Sequence, residues 1–464
     1  MNATTGRRVA LMRLGLLLGA SLCACAPEQV TGNATLPPNV PDPHALENRA
    51  GAVATYYGTL AGFTQAFGGA GGLGSSMVLT AGVLSDELQD GGVGEPIGLS
   101  TDGTALDSRV LPELQGPGSD QVQFYTSAYA EMQQVRAQAE EARGLLSQYG
   151  GDSLRALRAH VDALEGYAET FLADLFCSGI PLSTVDYGGD YTLRPGSSTQ
   201  DVYQHAVTLF DSAVALGRDS ARILNLARVG RARALLALGQ YGPAGQAVVD
   251  VPDGFAYAAT YSTQPGVGVG DNQNFAWVPP GQSWSVTTVD REGGNGLPYF
   301  SSNDSRTASS EIGTNLYGRT LSHPNKYATD GSSPIVVADG VEARLIEAEA
   351  ALQAGDVATW LAKLNHLRET AITPALPDTT DPGTSDARVD LLFRERAFWL
   401  FLTGHRQGDL RRLIRQYGRD PNRVYPTGSY PGGSGRYGFD VTAPVPAAER
   451  AYNPLYVGCM SRGA

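Results

Sequence analysis

The chain has 464 residues, a formal net charge of -13 and an apolar share of 42%. That length suits one large helical body or two ordinary domains, and the acidity speaks against nucleic acid, which selects a basic face. The 57 glycines and 27 prolines call for many loops. Lys326 and Lys363 are the only lysines; this is a composition bias with no function attached.

The N-terminus reads as a targeting segment. Arg7, Arg8 and Arg13 precede the apolar run Leu14 to Leu22, which is too short to span a bilayer as a permanent helix. Leu22-Cys23-Ala24-Cys25 then fits a bacterial lipobox. Residues 1–24 are expected to be a lipoprotein signal peptide and Cys25 the lipidated residue, tied to the membrane by its acyl chains. An ordinary signal peptide cut near Ala24 or Ala26 is the other reading. Residues 25–45, rich in Pro and Asn, read as a flexible tether. With Cys23 removed and Cys25 acylated, Cys177 and Cys459 remain. An even pair in an exported chain points to a disulfide; two separate buried thiols are the alternative.

Helical periodicity begins at Leu46 and runs to about Phe67, with Ala52, Tyr56, Leu60 and Phe63 on one face. Tyr56 and Tyr57, with apolar neighbours, are expected in the core. Gly68 to Gly74 contains G-x-G-x-x-G, but it follows a helix where a dinucleotide site needs a strand, so it reads as a loop. Further helices are expected over Met77–Leu88, Phe124–Tyr149, Leu154–Phe176, Val202–Leu216 and Ala221–Leu238. Gly179 and Pro181 break the third of these. Ala232 to Val251 has the Ala-rich, G-x-Y-x-x-A texture of a tetratricopeptide-type hairpin, echoed at Ala343 to Arg368.

Residues 252–334 have little helical period and are rich in Gly, Asn, Ser, Thr and aromatics. An insertion of that length is usually functional or carries strands of its own. A sugar ring packs its C–H face on an aromatic ring while its hydroxyls need amide or charged partners. Trp277, Trp284 and Tyr299 are therefore candidate stacking residues, with Asp290, Arg291, Asn272 and Gln282 as hydrogen-bonding ones. The competing role for these aromatics is to plug the insertion onto the helical body.

Phe393 to Leu402 is apolar almost all round, so that helix should be surrounded by others. Gly404 ends it, and HRQGDLRR follows. Glu395, Arg396, Arg406 and Asp409 are expected to form a structural charge cluster that satisfies buried helix ends.

Glu395, Arg396, Gly404, Arg406, Asp409, Leu410, Arg411 and Arg412 resemble the C-terminal signature of the SusD/RagB family of outer-membrane lipoproteins. Trp399 and Thr403 stand where that family usually has acids. LEGYAETFLADLFCSGIPLS, Arg344-Leu345-x-Glu347, Asn365 with Arg368, and Pro444-Val445-Pro446 with Glu449, Asn453 and Pro454 resemble further family segments in the same order. The resemblance implies a mostly α fold: tetratricopeptide-like hairpins in a single large body, with a loop-rich, aromatic-rich insertion and short strands. Residues 46–251 would be the N-terminal helical part, 252–334 the variable insertion and 335–464 the family-like C-terminal part. It further implies a cell-surface, lipid-anchored protein that captures a nutrient, by family default an oligosaccharide, and delivers it to a TonB-dependent, SusC-like outer-membrane barrel. No catalysis and no cofactor are implied.

The six histidines are scattered singly, and no H-E-x-x-H, EF-hand loop, G-x-S-x-G elbow or P-loop occurs, so no catalytic or metal residue is assigned. Two other functions stay open: a helical-repeat assembly lipoprotein, and a secreted hydrolase using two of the many carboxylates.

Overall fold

The structure is a computed structural model. It describes residues 43–69, 76–90, 105–111, 124–185, 191–262, 286–287, 295–314, 320–328, 330–430 and 435–464. The expected signal peptide, Cys25 and nearly all of the expected tether lie outside these residues.

Helix α1 (Arg49–Gly68) starts where the Asn48 side chain accepts the Gly51 N–H at 3.0 Å, a side-chain N-cap. Tyr56 is buried, but Tyr57 is 61% exposed, so the expectation of a core role fails for Tyr57. Successive helical residues diverge by about 100°, and only one of the two can face the interior. Helix α2 (Met77–Leu84) is buried at every residue. It stops short of the expected Leu88: the Leu88 N–H turns back to Gly82 O, and strand β1 (Gln89–Asp90) follows.

Helix α3 (Phe124–Tyr149) runs antiparallel to α1. Arg49 reaches Gly150 O at 2.9 Å, and the Thr59 hydroxyl donates to Gln138 O at 3.1 Å. Helix α4 (Arg155–Leu175) is buried from Ala159 onward, as its apolar face and a row of paired acids require. The break at Gly179 opens β2 (Ile180–Pro181), and a hairpin of β3 (Thr184–Val185) with β4 (Tyr191–Thr192) follows. β5 (Gly196–Ser197) then pairs antiparallel with β2. Cys177 is joined to Cys459 by a disulfide across a sequence separation of 282. Phe176 and Ser178 also pair with Ala443 and Ser461, so the tail is laid against the end of α4.

The hairpins come next: α5 (Thr199–Leu216), α6 (Ala221–Ala237) and α7 (Tyr241–Val248). Gly230 of α6 lies so close to Phe210 and Tyr167 that a Cβ there would collide with both rings. In the insertion, β6 (Ala256–Ala259) pairs with β10 (Ile335–Asp339), β7 (Val286–Thr287) with β1, and β8 (Ser309–Thr314) with β9 (Thr320–Pro324), all antiparallel. Strand β7 lies beside β9. After the insertion come α8 (Gly340–Gln353), α9 (Val357–Thr370), α10 (Ser385–Trp399) and α11 (Arg406–Arg415), and two short helices, α12 (Pro421–Val424) and α13 (Ala447–Tyr452), lie in the tail.

The fold is mostly α, with short strands. One apolar core joins α1–α7 to the insertion, Phe398 and Phe401, while a second gathers Leu345, Trp360, Leu392, Phe393 and Leu410. Among the described residues no helix is long and apolar enough to cross a membrane.

Candidate binding site

The corner between α10 and α11 organises the frame that carries the insertion. Helix α10 ends at Trp399, earlier than Gly404. Leu402 takes φ 54 and Gly404 φ 82, a conformation that costs a branched side chain such as Leu. Neighbours hold it in place. Glu87 accepts the Leu402 N–H at 2.9 Å, Tyr327 donates to Leu402 O at 2.8 Å, and Lys326 donates to Phe401 O at 2.5 Å.

The expected charge cluster is present as parts of a larger network. Arg396 grips Asp409 with two bonds of 2.7 and 3.0 Å, and Arg412 adds a third at 2.9 Å. Burial pushes the Asp409 carboxyl up, but the two guanidinium groups outweigh it and hold it well below the usual range. Glu395 accepts from Arg306 at 2.7 Å and Arg368 at 2.6 Å. Arg406 pairs with neither of the acids expected. It binds Asp86 through two bonds of 2.6 and 2.9 Å.

Asp86 is fully buried and also accepts the Leu297 N–H at 3.0 Å and the Tyr299 hydroxyl at 3.3 Å. One carboxylate thus ties α2, α11 and the returning end of the insertion together. The insertion's other end is fixed by Tyr261, whose hydroxyl donates to Thr64 O at 2.9 Å, and its middle by the β1–β7 pairing. Asn295 reaches the backbone of Tyr425 at 3.3 Å.

Tyr299 therefore belongs to the frame. It is 1% exposed and stacks on Phe401 with centroids 4.9 Å apart. It has no free face for a sugar, which corrects the expectation of a stacking role; the competing role, plugging the insertion onto the body, is the one it takes. Trp277, Trp284, Asp290 and Arg291, with Asn272 and Gln282, lie outside the described residues.

Sequence reasoning missed Asp86 and Glu87, the acids of SDEL. The signal was available: two carboxylates directly after an all-apolar helix are carried inside with it and need partners. Glu87 finds less than Asp86 does. Burial, opposed mainly by its one backbone bond, pushes its carboxyl up to about 8. Burial likewise pulls Lys326 down to about 8.

These carboxylates already accept from a guanidinium or a backbone N–H, so the chemistry of this network is positional. Among the described residues, no three His, Cys, Asp or Glu side chains are grouped to hold a metal ion.

The sequence profile of the SusD family matches residues 262–447, which span most of the insertion, the corner and α8–α11. No curated protein matches the chain. Many solved structures do. NanU of B. fragilis is 14% identical with a TM-score of 0.63, covering 92% of this chain and 100% of its own. A laminarin-binding SusD-like protein is 14% identical with a TM-score of 0.62, covering 89% and 99%. A SusD-like carbohydrate-binding protein from Bacteroides vulgatus is likewise 14% identical, with a TM-score of 0.61, covering 88% and 97%.

Proposed function

We propose a function from the premise that this chain belongs to the SusD family: it is a glycan-binding protein of the outer membrane, not an enzyme. It captures an oligosaccharide at the cell surface, anchored through Cys25, and delivers it to a TonB-dependent, SusC-like barrel.

The observation that carries this reading is the coincidence of the family match with the framed insertion. The match covers the stretch with Trp277 and Trp284, and the described residues on either side of it, Tyr261, β7, Leu297 and Tyr299, are each anchored to the body. A loop held at several points by a rigid frame is how a scaffold presents binding residues. Laminarin and carbohydrate binding in proteins of the same fold support a glycan as the ligand class. In this reading 46–251 is the helical part, 252–334 presents the ligand contacts, with Trp284, Trp277, Arg291 and Asp290 foremost, and 335–464 locks the corner.

The test is an affinity pulldown of the native lipoprotein from detergent-solubilised outer membranes, read by mass spectrometry. Recovery of a TonB-dependent barrel in near-equal amount is expected. A clean preparation without it, where other outer-membrane complexes survive, would overturn the delivery role. A Trp284→Ala protein that keeps its full glycan affinity would overturn the assignment of the insertion.

A further inference from the structure

Away from the insertion, a trough runs along the crossing of α1 and α3. Two adjoining cavities of about 230 Å³ each open in it, and both are lined by Gly58 and Gln138. Together they approach the range of small-ligand sites, about 300–1,000 Å³.

The trough is polar without being basic. Gln65, Gln134, Gln138, Glu131 and Glu141 line it, and no Lys, Arg or His does. Gln138 Oε1 and Glu131 Oε2 are buried atoms with no hydrogen-bond partner in the protein. Buried acceptors are ordinarily paired, and each exception asks for a reason. The Gln138 oxygen calls for a donor, the Glu131 carboxyl takes a donor or, when protonated, an acceptor, and the planar amides beside them offer both. A ligand made of hydroxyls matches that set. An anionic ligand does not, because it would meet two carboxyl groups and no cation.

Gly58 gives a second, independent observation. It stands in the middle of α1, where glycine is the poorest helix former after proline. Its φ is not in the left-handed region, and a Cβ would meet nothing within 4 Å. Nothing in the fold requires glycine there. Gly62 one turn on is different, since a side chain on it would collide with Gln138 Oε1. The bare backbone at Gly58 keeps open the place where the two cavities meet.

We propose that the α1–α3 trough is a binding site for an uncharged, hydroxyl-bearing ligand, a short segment of a neutral oligosaccharide, separate from the insertion. It rests on the glycan reading above only for the choice of probe. The trough holds the chain through amide and carboxyl hydrogen bonds, with no aromatic ring among its lining residues, so it is a low-affinity subsite that retains a polymer rather than selecting one.

The test is local labelling. The full-length lipoprotein in detergent is treated with a carbodiimide and an amine, and carboxyl modification is read residue by residue. Maltohexaose or laminarihexaose is expected to slow modification of Glu131 and Glu141 and to leave Asp386, 85% exposed on α10, unchanged. Gly58→Trp fills the trough and removes the protection. Should that variant not fold, Gln138→Ala is expected to shift the protection midpoint about tenfold, the loss expected for one or two hydrogen bonds. Gly144→Ala on α3, where a Cβ also meets nothing within 4 Å, is outside the trough and leaves protection intact. The proposal is overturned if neither sugar protects both glutamates, if protection survives Gly58→Trp, or if spermine protects them and the sugars do not. Because the readout sits on α3, its failure leaves glycan binding at the insertion untouched, and loss of the barrel partner leaves this result untouched.

Discussion

The two sides of the α10–α11 corner solve the burial of charge in opposite ways. On one side, Asp409 receives three bonds from Arg396 and Arg412, and Arg412 turns to Glu349 with two more of 2.5 and 3.0 Å. On the other, Glu87 accepts a backbone N–H from Leu402, and Lys326 donates to the Phe401 carbonyl. Both sides are buried. In the first, the Asp409 carboxyl is held well below the usual range by its two guanidinium partners. The second is an acid and a base driven toward their neutral forms, each titrating near pH 8. The lesson is that saturation with partners, rather than the number of charges buried, decides whether a buried group answers to pH.

The largest effect should come from breaking the saturated side. Asp409→Ala leaves two buried guanidinium groups without their shared carboxylate. Removing one partner of such a cluster costs about 3–5 kcal/mol. Denaturant unfolding should show that loss, with glycan affinity of the folded fraction unchanged. A variant of normal stability that no longer binds would make Asp409 a binding residue and break the comparison.

Glu87 tests the other side. Its carboxyl titrates above its unfolded value, so the folded state holds a proton that the unfolded state has lost. Stability is therefore full below the ordinary Glu range and falls as pH rises toward 8. Between pH 6 and pH 8 this group alone should remove about 2–3 kcal/mol. Glu87→Gln copies the protonated acid, keeps an acceptor for the Leu402 N–H, and should flatten that slope, with little change below pH 4 and a gain of about 2 kcal/mol already at pH 6. Parallel unfolding curves for both proteins across this window would show that Glu87 stays ionised in the fold.

Residue types at the corner were legible in the sequence, but their partners were not. An apolar run followed by a dense set of Arg, Glu and Asp announces buried charges that must pair. Local spacing can find Asp409 for Arg396, which is 13 residues away. It cannot find Asp86 for Arg406, which is 320 away, because nothing in a helical period reports which distant element arrives at the same place. The helices themselves were legible wherever one face repeats at 3.6. Tyr57 shows the limit of a rule that reads apolar neighbours without the wheel. Tyr299 shows another: an aromatic that plugs a loop and an aromatic that stacks on a ligand have the same sequence surroundings.

A histidine gives the intermediate case of a buried group with neutral partners. His160 sits between the Tyr56 hydroxyl at 3.0 Å and the Tyr257 hydroxyl at 2.7 Å. Burial, with a smaller push from Arg222, lowers it to about 4. The unfolded chain therefore takes up a proton first, and stability is lost as pH falls from the ordinary His range through 4. The slope between pH 6 and pH 4.5 should be worth about 1–2 kcal/mol. His160→Gln should be less stable at pH 7, having lost shape and bonds, yet flatter on acidification. An equal acid slope in both proteins would place that titration on another group.

Glu131 should give the smallest effect, and it sharpens the comparison because burial is the only influence on it. Desolvation raises its carboxyl to about 7, with no guanidinium beside it and Oε2 unpartnered. It resembles Glu87 in direction and differs in degree, since it is only partly buried and lines the open trough. Solvent screening must discount the shift, so the slope lost in Glu131→Gln between pH 5.5 and pH 8 should be about 1 kcal/mol or less. Stability again falls as pH rises, because the folded carboxyl keeps its proton longer than the unfolded one. If the slopes removed from Glu87 and Glu131 prove equal, depth of burial is not what separates them. The single N–H that Glu87 accepts would then have to be worth as much as the water that reaches Glu131.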